Sequence, residues 1–278
     1  SNGTSRRGGR ELLGAATDFW PGFDLNGSLP QSILGPAAPN RADTGISRAD
    51  LVLHSVFGHR NLLARGTTVC YSGETVCATT RQADWLIDWR YLPVDNHLRL
   101  PPWVSSLFGR NATAAPTPTD DDPGRNRFCA FVYSNPRCGI RNAFFEMLHE
   151  REPVDALGTV HHNADHAALS VRNDANWRSS KIRALRDYRF VIAFENEEHP
   201  GYTTEKLTDA WAAGAVPIYW GNPAVEQDFP EDAYLSLYRA GSMGRLVEQV
   251  LEAHHDPSRY EALQQASPFR TGRIETIV

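Results

Sequence analysis

Apolar positions along the chain fall in short blocks of two alternating kinds. ADLVLHSVFG (49–58), TTVCYSGE (67–74) and ADWLIDWR (83–90) each carry a β-branched apolar core ended by turn or polar residues, which predicts buried strands. HRNLLARG (59–66), between the first two, predicts a short helical turn closed by Gly66. Buried strands alternating with helical segments point to a parallel α/β architecture.

NATAAPTPTDDDPGRN (111–126) breaks the pattern, being rich in Pro, Thr and Asp with almost no apolar content, and reads as a linker. The alternation then restarts. RFCAFVYSNP (127–136) predicts a strand leading into RNAFFEMLHE (141–150), a helix with Phe144, Phe145 and Leu148 on its apolar stripe. DYRFVIAFEN (187–196) predicts the next strand, TEKLTDAWAA (204–213) a helix ended by Gly214, and AVPIYWG (215–221) another strand. AYLSLY (233–238) as a strand and MGRLVEQVLEAHH (243–255) as a helix complete the series.

A length of 278 residues accommodates two medium domains, and 41% hydrophobic with 22% charged residues is ordinary for a globular enzyme. Twenty-eight Lys plus Arg against 33 acidic residues give a net charge of -5, so no global basic field is available for nucleic acid and any anion must be caught locally. No apolar run approaches the roughly 18 residues of a membrane span, and SNGTSRRGGR reads as a leader without a signal-peptide core. Cys70, Cys77, Cys129 and Cys138 are too few for a disulfide scaffold and read as small buried hydrophobes. Asp120, Asp121 and Asp122 stand in low-complexity sequence and read as a solvated loop rather than a metal-binding motif.

In open parallel sheets, ligands bind beyond the carboxyl ends of the strands, where loops meet helix N-termini. Ser134, Asn135 and Arg141 follow the first strand of the second half; Glu195, Asn196, Tyr202, Glu205 and Lys206 follow the next. Lys206 falls in the first turn of a helix, where a cation costs roughly 0.3 to 1 kcal/mol against the helix dipole. Two readings of this pair stand side by side. In one, Glu205 accepts hydrogen bonds from a ribose diol and Lys206 completes an anion clamp for a diphosphate. In the other, Glu205 is a carboxylate favoured by the dipole and Lys206 a snorkelling surface residue.

FENEEHPGYTTEKLTDAWAAGAVPIYWG closely resembles the signature of the α-1,3/4-fucosyltransferases of glycosyltransferase family 10, with FVYSNPRCGIRNAFFEML as its preceding element. ADLVLHSVFG and VCYSGE resemble the acceptor-side strands of that family, so the likeness spans roughly residues 45–230. Thr203 replaces the usual Val before Thr-Glu-Lys, and EEHPG replaces a segment that often carries further Ser and Tyr, leaving contacts to fucose open. The absence of terminal cysteine clusters favours the bacterial-type branch; a heptad tail is also absent.

The resemblance implies an α/β GT-B architecture, two Rossmann-like domains with a cleft between them. Residues 1–122 would hold the acceptor and 123–265 GDP-fucose, with 266–278 packing back on the first domain. It implies an inverting transfer of L-fucose from GDP-β-L-fucose to a GlcNAc hydroxyl of an oligosaccharide or glycoconjugate, α-1,3 first and α-1,4 second. Glu74, matching the Gly-Glu of the second acceptor-side strand, would be the general base, partly desolvated and raised in proton affinity. Asp18 and His54 are secondary base candidates, each better suited to a buried hydrogen-bonded role. Arg141 and Lys206 would neutralise the departing diphosphate, so that no divalent metal or other cofactor is needed. Ser134, Asn135, Glu195, Asn196, Tyr202 and Glu205 would join them in holding the donor, Glu195 by contacting the sugar or by orienting its loop.

HHNADH (161–166) reads as a mobile loop near the donor rather than a metal site, and Trp85, Trp89 and Trp103 as core residues or a sugar-stacking platform. A bacterial chain would work in the cytoplasm or at the inner membrane; sequons at Asn26 and Asn111 fit instead a Golgi-lumenal catalytic part. The rival functions are a GT-B transferase for another nucleotide sugar and an inactive glycan-binding relative.

Overall fold

A computed structural model describes residues 12–19, 23, 27, 30, 31, 34, 45–79, 81–105, 125–170 and 176–268. The leader, both sequons, most of the linker with Asp120 to Asp122, the expected boundary after residue 122 and residues 269–278 lie outside the described residues. The chain divides into two compact units, Ser1–Arg110 and Asn111–Val278. Each holds a five-stranded, wholly parallel sheet. No helix among the described residues is long and apolar enough to cross a membrane.

The first unit runs β1 (Gly14–Thr17), β2 (Leu51–His54), β3 (Thr67–Tyr71), β4 (Trp85–Asp88) and β5 (His97–Arg99), neighbours in space as in sequence, with α1 (Pro102–Ser105) after them. The three predicted strands are β2, β3 and β4, trimmed to their apolar centres around buried Val52, Leu53, Val69, Leu86 and Ile87. The predicted turn is a 3-10 helix, Arg60–Leu63. Gly66 is required where the turn re-enters the sheet, since a Cβ would stand 2.4 Å from the carbonyl oxygens of Ala49 and Asp50. Trp89 and Trp103 are core residues, whereas Trp85 is exposed.

The second unit runs β6 (Arg127–Phe131), α2 (Gly139–His149), β7 (Val154–Ala156), α3 (Trp177–Leu185), β8 (Tyr188–Phe194), α4 (Glu205–Ala212), β9 (Val216–Trp220), β10 (Leu235–Ser236), α5 (Leu237–Ala240), α6 (Met243–His255) and α7 (Pro257–Gln265). Its strand order is β10-β9-β8-β6-β7. β7 lies on one side of β6 and β8 on the other, so the winding reverses between β6 and β8 and the loops after these strands diverge. Such a switch point is where open α/β sheets bind ligands. The core is aromatic: Phe131, Phe144, Phe190 and Phe194 are fully buried, with Phe144 stacked on Phe194 at 4.9 Å between centroids.

Two predictions are corrected. AYLSLY is a strand only at Leu235–Ser236, because Ser236 Oγ accepts the Tyr238 N–H and turns the chain into α5. HHNADH is anchored rather than mobile: Asn163 Oδ1 accepts the Ala156 N–H at 2.7 Å, its Nδ2 donates to the Val154 carbonyl at 3.0 Å, and its side chain thus pairs the free edge of β7. His166 pairs with Asp187 at 2.8 Å, and His161 stacks on Phe145. Cys70, Cys129 and Cys138 are buried and Cys77 half-buried, all four as free thiols.

Candidate functional site

All eight residues predicted in the second unit fall on the loops after β6 and β8 or in the first turns of α2 and α4, around the switch point. At its centre is Glu195, fully buried one residue beyond β8. Its carboxylate accepts the Thr204 N–H at 2.7 Å, the Thr204 hydroxyl at 3.0 and 2.8 Å, and the Lys206 ammonium at 2.9 Å. Gly221, at φ +140, makes room for this side chain, since a Cβ there would stand 2.4 Å from Glu195 Cβ and Cγ. With both oxygens engaged by protein donors, Glu195 is tied to the start of α4, which orients its loop.

Thr204 caps α4, its hydroxyl accepting the Lys206 N–H at 3.4 Å and Lys206 Nζ at 2.9 Å. Lys206 is therefore neither a snorkelling surface residue nor a cation without a protein partner. Burial pulls its ammonium down, but Glu195 and Glu205 outweigh that and hold it above the ordinary lysine range. Glu205 is half-buried. Burial pushes its carboxyl up, yet Lys206, Lys181 and Arg178 together prevail and hold it at about 2.

Arg141, in the first turn of α2, is fully buried. Its Nη1 donates to Asn196 Oδ1 at 2.7 Å, its Nη2 to the Asn135 carbonyl, and the guanidinium lies 4.0 Å above the Tyr133 ring. Nε has no partner, and no carboxylate among the described residues pairs with this cation. A buried cation held only by neutral acceptors and a π face is incompletely compensated, and an anion at the switch point would complete it. Asn135 and Asn196 are exposed beside it, each spending its own acceptor on the local frame.

The connection from Glu197 to Thr203 is pinned rather than loose. Asn222 Oδ1 accepts the Gly201 N–H at 2.7 Å, and Glu198 accepts from Trp220 Nε1 and the Tyr238 hydroxyl, both at 3.0 Å. Tyr202 is buried within it. Ser134 lines a cavity of about 290 Å³ together with Gly158, Thr159, His162 and Trp177.

Residues outside the sequence motifs complete the site. Asp209, one turn beyond Glu205 and fully buried, pairs with Arg178 Nε and Lys181 Nζ of α3, each at 2.6 Å. No motif marks them; the only signal is the lysine and arginine on an otherwise unremarkable helix, and α3 itself was not predicted.

The first unit places Glu74 three residues beyond β3. Its carboxylate is exposed, so the expected partial desolvation is absent, while its backbone carbonyl accepts the Trp89 indole N–H at 2.8 Å and fixes the loop. Asp18 is half-buried rather than buried, and its carboxylate accepts the N–H groups of Arg60 and Asn61 at 3.1 and 3.4 Å. His54 is buried, and its Nδ1 donates to the Ser55 carbonyl at 3.1 Å; burial pulls its imidazole below the usual value against that bond and the Asp18 charge. Among the described residues no cluster of three or more His, Cys, Asp or Glu is placed to hold a metal ion.

The sequence profile of glycosyltransferase family 10 (fucosyltransferase), C-terminal part, matches residues 123–265, and that of the α-(1,3)-fucosyltransferase FucT N-terminal domain matches residues 15–105. The chain is 28% identical over 260 residues to the α-(1,3)-fucosyltransferase FucT of Helicobacter pylori, covering 80% of this chain and 52% of that protein. It is 36% identical over 149 residues to an α-(1,4)-fucosyltransferase of Arabidopsis thaliana, covering 50% of this chain and 37% of that one. The chain thus spans about half the length, or less, of these curated relatives. In structure it is similar to an α1,3-fucosyltransferase crystallised with GDP-fucose, at a TM-score of 0.77 and 22% identity over 98% of this chain and 86% of that one. A similarity at a TM-score of 0.55 and 8% identity, over 96% and 97% of the two chains, extends to Anabaena Alr3699/HepE in complex with UDP and glucose. The fold is GT-B, with two Rossmann-like units.

Proposed function

Since the chain belongs to glycosyltransferase family 10, the fucosyltransferases, we propose that it transfers L-fucose from GDP-β-L-fucose to a GlcNAc hydroxyl of an acceptor glycan, with inversion at C1 and α-1,3 linkage. The observation that carries the reading is Arg141, a buried cation without a carboxylate partner, close to the charged Lys206 at the switch point of the second unit. Two fixed cations there favour a group that gains negative charge as its bond breaks, which describes a departing nucleoside diphosphate. Positive charge from the protein does the work a divalent metal would otherwise do, so the chemistry runs without one.

Glu205, ionised throughout the physiological range, would accept from the ribose diol, and Asn135, Asn196 and Ser134 would line the donor's path. Glu74 takes the acceptor proton as the new bond forms. Its exposure suits it to meet a hydroxyl arriving from solvent. Glu195 holds Lys206 and the α4 cap in place.

The test is a thermal-shift series with GDP-fucose, GDP-mannose and UDP-sugars, followed by mass spectrometry of products from an acceptor panel. GDP compounds should raise the melting temperature, and N-acetyllactosamine with GDP-fucose should gain one deoxyhexose. A shift with UDP-sugars alone would move the chain to another donor, and binding of glycan with no product from any donor would make it a glycan-binding relative. Glu74→Gln should lower kcat by about 10²- to 10⁴-fold, the usual contribution of a general base, while the GDP-induced shift persists. Undiminished turnover in that variant would remove Glu74 from the chemistry.

A further inference from the structure

We propose that the turn between β2 and β3 is an interfacial platform: Phe57, Leu62 and Leu63, rimmed by Arg48, Arg60 and Arg65, seat the first unit on an anionic lipid surface. Phe57 is 65% exposed, Leu62 78% and Leu63 62%, three large apolar side chains within seven residues. Isolated exposed apolar residues are ordinary, but a contiguous group marks a contact surface.

The group is displayed by a braced segment, not by loose chain. Asp18, a non-glycine residue at φ +64, offers its carboxylate to the N–H groups of Arg60 and Asn61, at 3.1 and 3.4 Å. Its carbonyl accepts from the Ser55 hydroxyl, whose oxygen in turn accepts the Phe57 N–H at 3.2 Å. Gly58 is packed so tightly that a Cβ would stand 2.1 Å from Asp18 Oδ1, and Asn61 Nδ2 ties the turn to the Gln82 carbonyl at 3.3 Å. The left-handed aspartate is held in place by these bonds, and the turn it braces leaves both of its leucines exposed.

Charge identifies the occupant. The turn carries three exposed arginines, Arg48, Arg60 and Arg65, with the exposed His59, against two half-buried acids, Asp50 with its carboxylate on the Leu13 N–H and Asp18 with its carboxylate on the Arg60 and Asn61 N–H groups. This local excess opposes the overall charge of -5. Exposed leucines and a phenylalanine interspersed along the turn with exposed arginines suit a bilayer interface, which takes apolar tips below the headgroups while arginines meet lipid phosphates. The brace also fixes the location. Asp18 directly follows β1, so the platform stands at the carboxyl edge of the first sheet, the edge from which β3 delivers Glu74. A lipid-borne glycan would present its hydroxyl at that same edge; this last step alone rests on the acceptor reading above.

The experiment is flotation of the purified full chain with vesicles of phosphatidylcholine alone and of phosphatidylcholine with about one-third phosphatidylglycerol. The chain should float with the anionic vesicles and stay behind with the neutral ones. Leu62→Ser/Leu63→Ser should lose about tenfold or more of vesicle partition, and Arg60→Gln/Arg65→Gln a similar amount at low salt, both with unchanged melting temperature. Turnover of a soluble acceptor should be unaffected in both, which separates this outcome from a failure of the transferase reading. Wild-type chain that ignores anionic vesicles at low salt, or variants that float as well as wild type, would overturn the proposal. So would a concentration-dependent dimer, seen by sedimentation, that the leucine substitutions abolish, since the occupant would then be a second copy.

Discussion

Lys206 shows how far a single residue's reading depends on its partner. Its position at the positively polarised start of α4 was legible from TTEK alone, and so was its closeness to Glu205. The eleven-residue reach to Glu195 was not, because only the close approach of β8 and β9 and the absence of a side chain at Gly221 bring that carboxylate under the helix cap. The consequence reverses an expectation that follows from the dipole alone, that Lys206→Ala would leave the free protein as stable or more so. Removing the ammonium leaves a fully buried carboxylate without its counter-ion, and equilibrium denaturation should show a loss of about 3 to 5 kcal/mol. Glu195→Gln/Lys206→Met should recover part of that loss while remaining inactive. Glu205 gives a second outcome, in pH. Its folded carboxyl is held at about 2 against an ordinary value of 4.5, so its contribution is full above 4.5 and fades as pH falls from there toward 2. Denaturation midpoints taken through that window should fall more steeply for wild type than for Glu205→Gln; parallel curves would mean the surrounding cations do not hold it.

Between elements, α4 is fixed from two sides: by its cap to the end of β8, and by Asp209 to α3. Arg178 and Lys181 reach Asp209 from α3 and also lower the Glu205 carboxyl one turn away, so one ion cluster both clamps the helices and sets the charge of a proposed ribose ligand. Asp209→Asn should therefore raise the KM for GDP-fucose more than it lowers kcat, and should speed amide hydrogen exchange along Trp177–Leu185. Equal losses in both constants with unchanged exchange would confine Asp209 to packing. The same scale explains what the sequence made legible. Strands with continuous β-branched and aromatic runs, such as FVIAF within β8 or the core of β9, and α6 with its amphipathic stripe, declare themselves locally. β5 and β7 are three residues long, too short for any period, and exist because a neighbouring strand supplies their hydrogen bonds. α3 has little apolar periodicity; the ion cluster holds it beside α4 while Ala184 and Leu185 bury its C-terminal end.

At the scale of the whole molecule, the two sheets share a parallel architecture but not a winding. Among the described residues the first runs in sequential order, with no reversal; the second reverses between β6 and β8. Everything that makes the second unit a plausible nucleotide holder follows from that reversal: the loops after β6 and β8 part, and Arg141, Asn196 and Lys206 stand where they do. A net charge of -5 adds no long-range attraction for the proposed donor, so its binding energy would come from this short-range set. Two consequences follow for the intact chain. GDP affinity should fall only modestly between low and physiological salt, because the cations proposed to meet the diphosphate are buried or nearly so and are screened little. GDP should also slow hydrogen exchange in the loops at 134–141 and 195–206 while leaving 57–65 of the first unit unchanged. Protection appearing first at 57–65 would place the nucleotide on the sequentially wound sheet and require the roles of the two units to be exchanged.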